Sequence, residues 1–289
     1  MKKRMSILTL IALVVSMLTG CFGGSSDFES GKDIFVVSRE DGSGTRGAFI
    51  ELFDIEQRGA GGTRRDLTTK EAIIAKQTDV MMTNIAGNQY GIGYISLGSL
   101  NDTVKALQIE GVAPTAENVK KGTYPIVRPF NIATKGEASE LTRDFIDFIL
   151  SLDGQEVVAK SYIAVTENAP AYAGNKPSGK IVVAGSSSVT PIMEKLKEAY
   201  QVINPNATIE IQMSDSSAGI IGVIDGTCDI GMASRNLKPS ELEQLVSIQM
   251  ALDGITVIVN HKNPVESLKK EEVNAIFTGK ALKWNQVNP

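Results

Sequence analysis

Arg39, Ser43, Gly44 and Thr45 stand close together in the stretch Ser38-Arg-Glu-Asp-Gly-Ser-Gly-Thr-Arg-Gly47. An arginine offers a planar fork of donors suited to a tetrahedral oxyanion, serine and threonine add hydroxyls, and Gly42 and Gly44 let the backbone approach a ligand closely. The stretch follows the apolar run Ile34–Val37 and precedes Ala48-Phe-Ile-Glu-Leu-Phe53, so it reads as a loop between a strand and a helix. Backbone N–H groups at a helix start lack intrahelical partners and carry the positive end of the helix dipole, which makes such a loop an anion site. A plain capped helix would carry much the same residues.

Three more loops repeat the pattern and must be positioned by the elements around them. Lys180–Ala184 leads into Gly185-Ser-Ser-Ser-Val-Thr190 with Pro191 at a first helical position, Glu210–Met213 leads into Ser214-Asp-Ser-Ser-Ala-Gly219, and Asp229–Ala233 leads into Ser234-Arg235. Either each serine-rich start is an independent cap, or the four loops converge on one ligand. Strands are expected at 34–37, 91–95, 180–184, 208–212, 229–233 and 255–259, and helices at 70–84, 140–152, 191–204, 218–225, 240–246 and 269–278. This alternation predicts an α/β fold with mainly parallel sheets, in which ligands collect at the carboxyl ends of strands.

The net charge of -4 argues against nucleic acid and against a polybasic membrane surface, so an anion must be held by local donors rather than by the overall field. His261 is the single histidine, and Cys228 is the one cysteine besides Cys21. Zinc, a histidine-based triad and a disulfide within the folded part are therefore not expected, no cofactor is implied, and Cys228 reads as a packed small residue. Lys2, Lys3 and Arg4 followed by the apolar stretch 5–18 form a targeting segment too short to span a bilayer. Its end, Leu18-Thr-Gly-Cys21, resembles the lipobox of bacterial lipoproteins, which implies residues 1–20 as signal peptide, lipidation of Cys21 and a flexible tether over 21–32. An ordinary secretory signal with an incidental cysteine is the alternative. The remaining length exceeds a typical single domain and predicts two lobes.

The motifs AGSSSVTP, SDSSAG, DIGMASR, ALDGITVIVN, IFTGKALKW and SREDGSGTRG together resemble the periplasmic-type phosphate-binding protein of the bacterial ABC phosphate importer. Gly91–Leu97 and Ser151–Val157 match its later stretches. The order differs: in that family SREDGSGTRG follows the tryptophan segment, whereas here it opens the folded chain and Trp284 stands near its close. The chain thus looks circularly permuted, with the family's ends joined through residues 164–180; half-copies of a tandem repeat that swap with neighbours would give the same order.

The resemblance implies a two-lobed clamshell, with one lobe over 123–247 and the other over 33–122 plus 248–289, hinged near 124–128 and 247–251. It also implies a non-enzymatic, monomeric receptor for inorganic phosphate that serves an ABC permease from outside the cell membrane. The matching ligand residues are Ser187, Ser188, Ser216, Ser217, Ser234 and Arg235 from one lobe and Arg39, Ser43, Gly44 and Thr45 from the other. Asp41 either holds Arg39 in place or simply forms a turn. Arg235 stands where some family members carry the acid that accepts the phosphate proton. Rejection of sulfate then needs another acceptor, such as Asp215, Glu40 or a backbone carbonyl, and a sulfate-like ligand stays open, as does a sensing or adhesion role.

Overall fold

The computed structural model describes residues 28–59, 64–166 and 168–287. The expected signal peptide, the lipidation expected at Cys21 and the tether as far as residue 27 lie outside the described residues. The β-branched runs form β1 (Phe35–Arg39), β2 (Ile73–Ala75), β3 (Gly91–Ser96), β4 (Val127–Thr134), β5 (Gly179–Ser186), β6 (Ala207–Ser214), β7 (Ile230–Ala233) and β8 (Val246–Val259). They make one sheet in the order β6-β5-β7-β4-β8-β3-β1-β2, and Lys105–Ala106 and Ile163–Ala164 add to β8.

The flanks of this sheet are parallel, β6-β5-β7 on one side and β3-β1-β2 on the other, as the alternating pattern predicts. Its centre is not. β4 and β8 run antiparallel to each other and to their outer neighbours, because both strands traverse the middle of the molecule instead of returning through a helix. β8 pairs with β4 over Val246–Gly254 and then with β3 over Ile255–Val259. The stretches expected to cross between lobes fall at the start of β4 and in the first half of β8.

Among the described residues the helices of eight residues or more are α1 (Gly44–Leu52), α2 (Thr78–Ala86), α3 (Glu140–Leu150), α4 (Leu152–Ala159), α5 (Thr190–Ile203), α6 (Ser216–Asp225) and α7 (Lys270–Phe277). Two expected helices are corrected. The one expected over 70–84 starts only at Thr78, because Ile73–Ala75 pair in parallel with Val37–Arg39 and extend the sheet edge. The one expected over 240–246 is the single turn Pro239–Leu242, and Val246 already belongs to β8.

Each side of the sheet has its own aromatic core. Phe49 stacks on Tyr94 at 3.8 Å between ring centres and packs with Phe277 and Trp284, while Phe130, Phe145, Phe148 and Tyr200 fill the other. Burying each such ring stabilises by about 1.5 to 3 kcal/mol. Cys228 is buried beside Gly219, and burial together with Asp229 pushes its thiol up to about 11, which leaves it an inert packed residue.

The two ends of the described chain meet: Asp33 bridges Lys283, and the Asn285 N–H donates to the Ser30 carbonyl at 2.8 Å. The extended segment 168–179 is pinned to α3, α4 and α5. The Leu152 N–H donates to Pro170 O and the Tyr172 N–H to Asp153, both at 2.8 Å. Buried Asp144 accepts from the hydroxyls of Tyr172 and Tyr200 and from the Asn175 N–H.

Candidate anion-binding site

β1, β5, β6 and β7 all end at the same edge of their flanks, and the loops that follow carry the expected residues. Ser43 caps α1 by accepting from the Arg46 N–H at 3.3 Å, and Asp215 caps α6 by accepting from the Ala218 N–H at 2.8 Å. α5 starts at Thr190 without a side-chain cap, and the Val189 carbonyl accepts from the Ile192 and Met193 N–H groups at 3.2 and 3.1 Å, so what this long helix offers the site is the positive end of its dipole. Gly185 adopts φ 131°, and a Cβ there would lie 2.5 Å from Met232 O; the bare backbone lets β5 and β7 bring their loops together with the start of α6.

Seven of the expected residues form one buried cluster across the two flanks. Thr45 and Ser188 place their hydroxyl oxygens 2.8 Å apart, Ser216 and Ser234 theirs 3.4 Å apart, and the Ser234 N–H donates to Ser216 Oγ at 3.1 Å. Gly44 is pressed against the same group: a Cβ there would lie 2.4 Å from Ser216 Oγ and 2.7 Å from Ser234 Oγ. Arg39 Nη2 donates to Ser187 Oγ at 3.0 Å and completes the ring. Ser186, which sequence reasoning passed over, donates to Ser234 Oγ at 3.0 Å.

Arg39 is 1% exposed and is held by Glu40, not by Asp41. Its Nε and Nη2 donate to the two Glu40 oxygens at 2.9 and 2.8 Å, and Nε also donates to Ala75 O at 3.1 Å. The Ser43 N–H closes a turn on Glu40 O, which leaves Asp41 at the outer corner, 97% exposed and 3.4 Å from Arg46. The proposed grip of Asp41 on Arg39 is therefore corrected to a grip by Glu40. Arg39 Nη1 is buried with no acceptor among the described residues. A buried guanidinium nitrogen without a partner carries a desolvation cost, and its surroundings here are hydroxyls and helix starts that can all donate.

Arg235 and Ser217 lie to one side of the ring. Arg235 donates to both Glu241 oxygens at 2.8 and 2.9 Å, to Asn236 O at 2.9 Å and to Ser217 Oγ at 3.4 Å, on the wall of an open cleft of about 980 Å³. Burial raises the Glu241 carboxyl, but the bonds from Arg235 and the Lys238 N–H outweigh it and hold the group below the usual range. The Ser217 N–H donates to Gly42 O at 3.2 Å, a backbone bond that ties the second loop to the first across the site.

A model described as a PBP superfamily domain matches residues 16–153 and 170–289. A phosphate-binding protein PstS 2 from Streptococcus agalactiae is 50% identical over 289 residues, covering 99% of this chain and 98% of that one. The chain belongs to this phosphate-binding protein family of the PBP superfamily. A crystal structure of a phosphate-binding protein of a phosphate ABC transporter from Streptococcus pneumoniae is 44% identical and superposes with a TM-score of 0.71, covering 89% of this chain and all of that one. A Bacillus subtilis phosphate-binding protein PstS is 38% identical over 143 residues only, which is 47% of this chain and 44% of that one. The family assignment agrees with the α/β architecture and with a two-lobed binding-protein fold.

Proposed function

We propose that this protein captures inorganic phosphate between its two flanks outside the cytoplasmic membrane and delivers it to the permease of an ABC importer, without catalysing a reaction. The observation that carries this reading is the buried, unpartnered Nη1 of Arg39, whose Nη2 donates to Ser187 in the cluster shared with Thr45, Ser188, Ser216 and Ser234. Charge-assisted hydrogen bonds contribute about 1.5 to 3 kcal/mol each, and micromolar binding needs about 8 kcal/mol, so several such bonds suffice after desolvation. The names of the Streptococcus relatives, aligned over nearly their full length, support the same ligand and the same importer role. Ser43 and Gly44 serve through the α1 start, Ser217 through its backbone, and Arg235 as a brace of the third loop rather than a ligand.

The permuted order is supported by the meeting of the chain ends at Asp33 and Lys283 and by the fact that the Bacillus relative aligns over less than half of either chain. The lobes are 123–247 and 33–122 plus 248–289, with β4 and the first half of β8 as the crossing. A monomer fits the site, because Arg39–Ser187 and Thr45–Ser188 close within one chain and need no second copy. Lipidation of Cys21 would hold the receptor at the membrane; among the described residues no helix is long and apolar enough to cross one.

The test is a calorimetric titration of the protein with phosphate, repeated in excess sulfate. Tight binding that survives sulfate is expected. A folded protein that takes up no phosphate refutes the reading, and loss of phosphate binding in the excess sulfate moves the ligand class to tetrahedral oxyanions at large.

A further inference from the structure

The most deeply buried ion pair among the described residues outside the ring is Arg128 with Asp253, each side chain 1% exposed. The two are register partners on β4 and β8, immediately before β8 passes from pairing with β4 to pairing with β3. Arg128 Nε and Nη2 both donate to Asp253 Oδ2, at 3.1 and 2.9 Å, and the guanidinium lies 5.2 Å from the Phe130 ring centre. Asp253 Oδ1 accepts from Ser96 Oγ at 2.9 Å, at the end of β3 on the far side of the crossing. The remaining arm reaches the site: Arg128 Nη1 donates to the Ser234 carbonyl at 3.2 Å. Asn131, three residues further along β4, donates to the next carbonyl, that of Arg235, at 2.9 Å.

We propose that Arg128, oriented by Asp253 and Ser96, is a positioning residue that fixes the third anion-binding loop to the crossing strands. It touches no ligand atom. The Ser234 peptide is held by its carbonyl, so that its N–H and hydroxyl stay in the ring with Ser216 and Ser186. A buried ion pair is a weak source of stability, because desolvation offsets its attraction, whereas the fork geometry of arginine defines orientation well. Burial acts on both partners here, holding the Asp253 carboxyl above its ordinary range and the Arg128 guanidinium below its own, with the pairing working against each shift. A pair placed at the crossing also connects the loop to whatever motion opens and closes the cleft. A lysine at 128 keeps a cation for Asp253 but has no fork with which to reach the Ser234 carbonyl at the same time.

The inference rests on the phosphate reading, and its test separates the two. In the unmodified protein, Arg128→Lys, Ser234→Ala and the double variant, phosphate association and dissociation are measured by stopped flow, and exchange of the Ser234 amide hydrogen is followed without ligand. Arg128→Lys is expected to speed dissociation about tenfold, equivalent to about 1.4 kcal/mol, with association changed less than about twofold. The double variant should bind little worse than Ser234→Ala alone, whereas pairing Arg128→Lys with Thr45→Val, on the opposite wall, should give additive losses. Ser234 amide exchange should accelerate in Arg128→Lys even without phosphate. If the unmodified protein binds no phosphate, the functional reading falls and the amide exchange alone decides the role of Arg128. Unchanged exchange, or losses additive with Ser234→Ala, overturns the proposal. Arg128→Met leaves Asp253 buried and unpaired, so failure of that variant to fold would not substitute for the lysine result.

Discussion

Replacement of Arg39 by alanine tests the site most directly, and its two consequences can be separated. The first is loss of the guanidinium: Nη1 is buried with no partner among the described residues, and charge-assisted bonds from its two N–H groups are worth about 1.5 to 3 kcal/mol each, or about 3 to 6 kcal/mol together. The second is release of Glu40, whose carboxylate is only 17% exposed and accepts two of the Arg39 donors. Without that partner it faces the bound anion, and two like charges a few ångströms apart at an effective dielectric constant of about 20 repel by about 3 kcal/mol. Arg39→Ala should therefore weaken phosphate binding by at least about a thousandfold. The double variant Arg39→Ala with Glu40→Ala should regain about a hundredfold of that loss, because the repulsion is gone while the donors are still missing. Calorimetry gives the affinities, and the far-ultraviolet circular dichroism spectrum verifies that the sheet is intact. Binding by Arg39→Ala within tenfold of the unmodified protein, in a folded sample, would refute the reasoning.

Gly44→Ala should abolish tight binding while the melting temperature changes little, because the new Cβ would overlap Ser216 Oγ and Ser234 Oγ and prop the ring open; titration with phosphate reads it. The depressed Glu241 carboxyl contributes stability that is complete above the unfolded carboxylate range near pH 4.3 and is lost as the pH falls through the lower folded value. Glu241→Gln should therefore flatten the fall of melting temperature between about pH 5 and pH 3, and an unaltered slope would show that the pair with Arg235 is not formed in solution. Asp144→Ala strands the hydroxyls of Tyr172 and Tyr200 and frees segment 168–179; a drop of about 5 to 10 °C and early proteolytic cleavage within that segment are expected, with unchanged cleavage counting against the clamp.

The four serine-bearing loops could be found in the sequence because each depends on neighbours along the chain: a β-branched run, then Gly, Ser or Thr, then a helix start. What could not be found depends on residues far away. Ile73-Ile-Ala75 is as apolar as a helix face, and only its parallel pairing with Val37–Arg39 makes it a strand. The part of β8 that pairs with β4 contains Ser247, Gln249 and Asp253, which break any apolar run, and Asp253 is acceptable inside the sheet only because Arg128 meets it from β4. The sequence likewise left Asp41 either as the holder of Arg39 or as a turn former. The turn closed by the Ser43 N–H decides between them, by sending Asp41 outward.

The Arg39–Glu40 fork has a consequence for how the receptor works in different media. The one guanidinium in the ring arrives already neutralised by a carboxylate bonded to it at 2.8 and 2.9 Å, so the pocket carries dipoles and hydroxyls but almost no net charge. Mobile counter-ions screen net charge over a Debye length of about 8 Å at physiological ionic strength, and they have little to screen here. A trap of this kind recognises its ion by where the oxygens sit and keeps its grip as the surrounding brine thickens or thins.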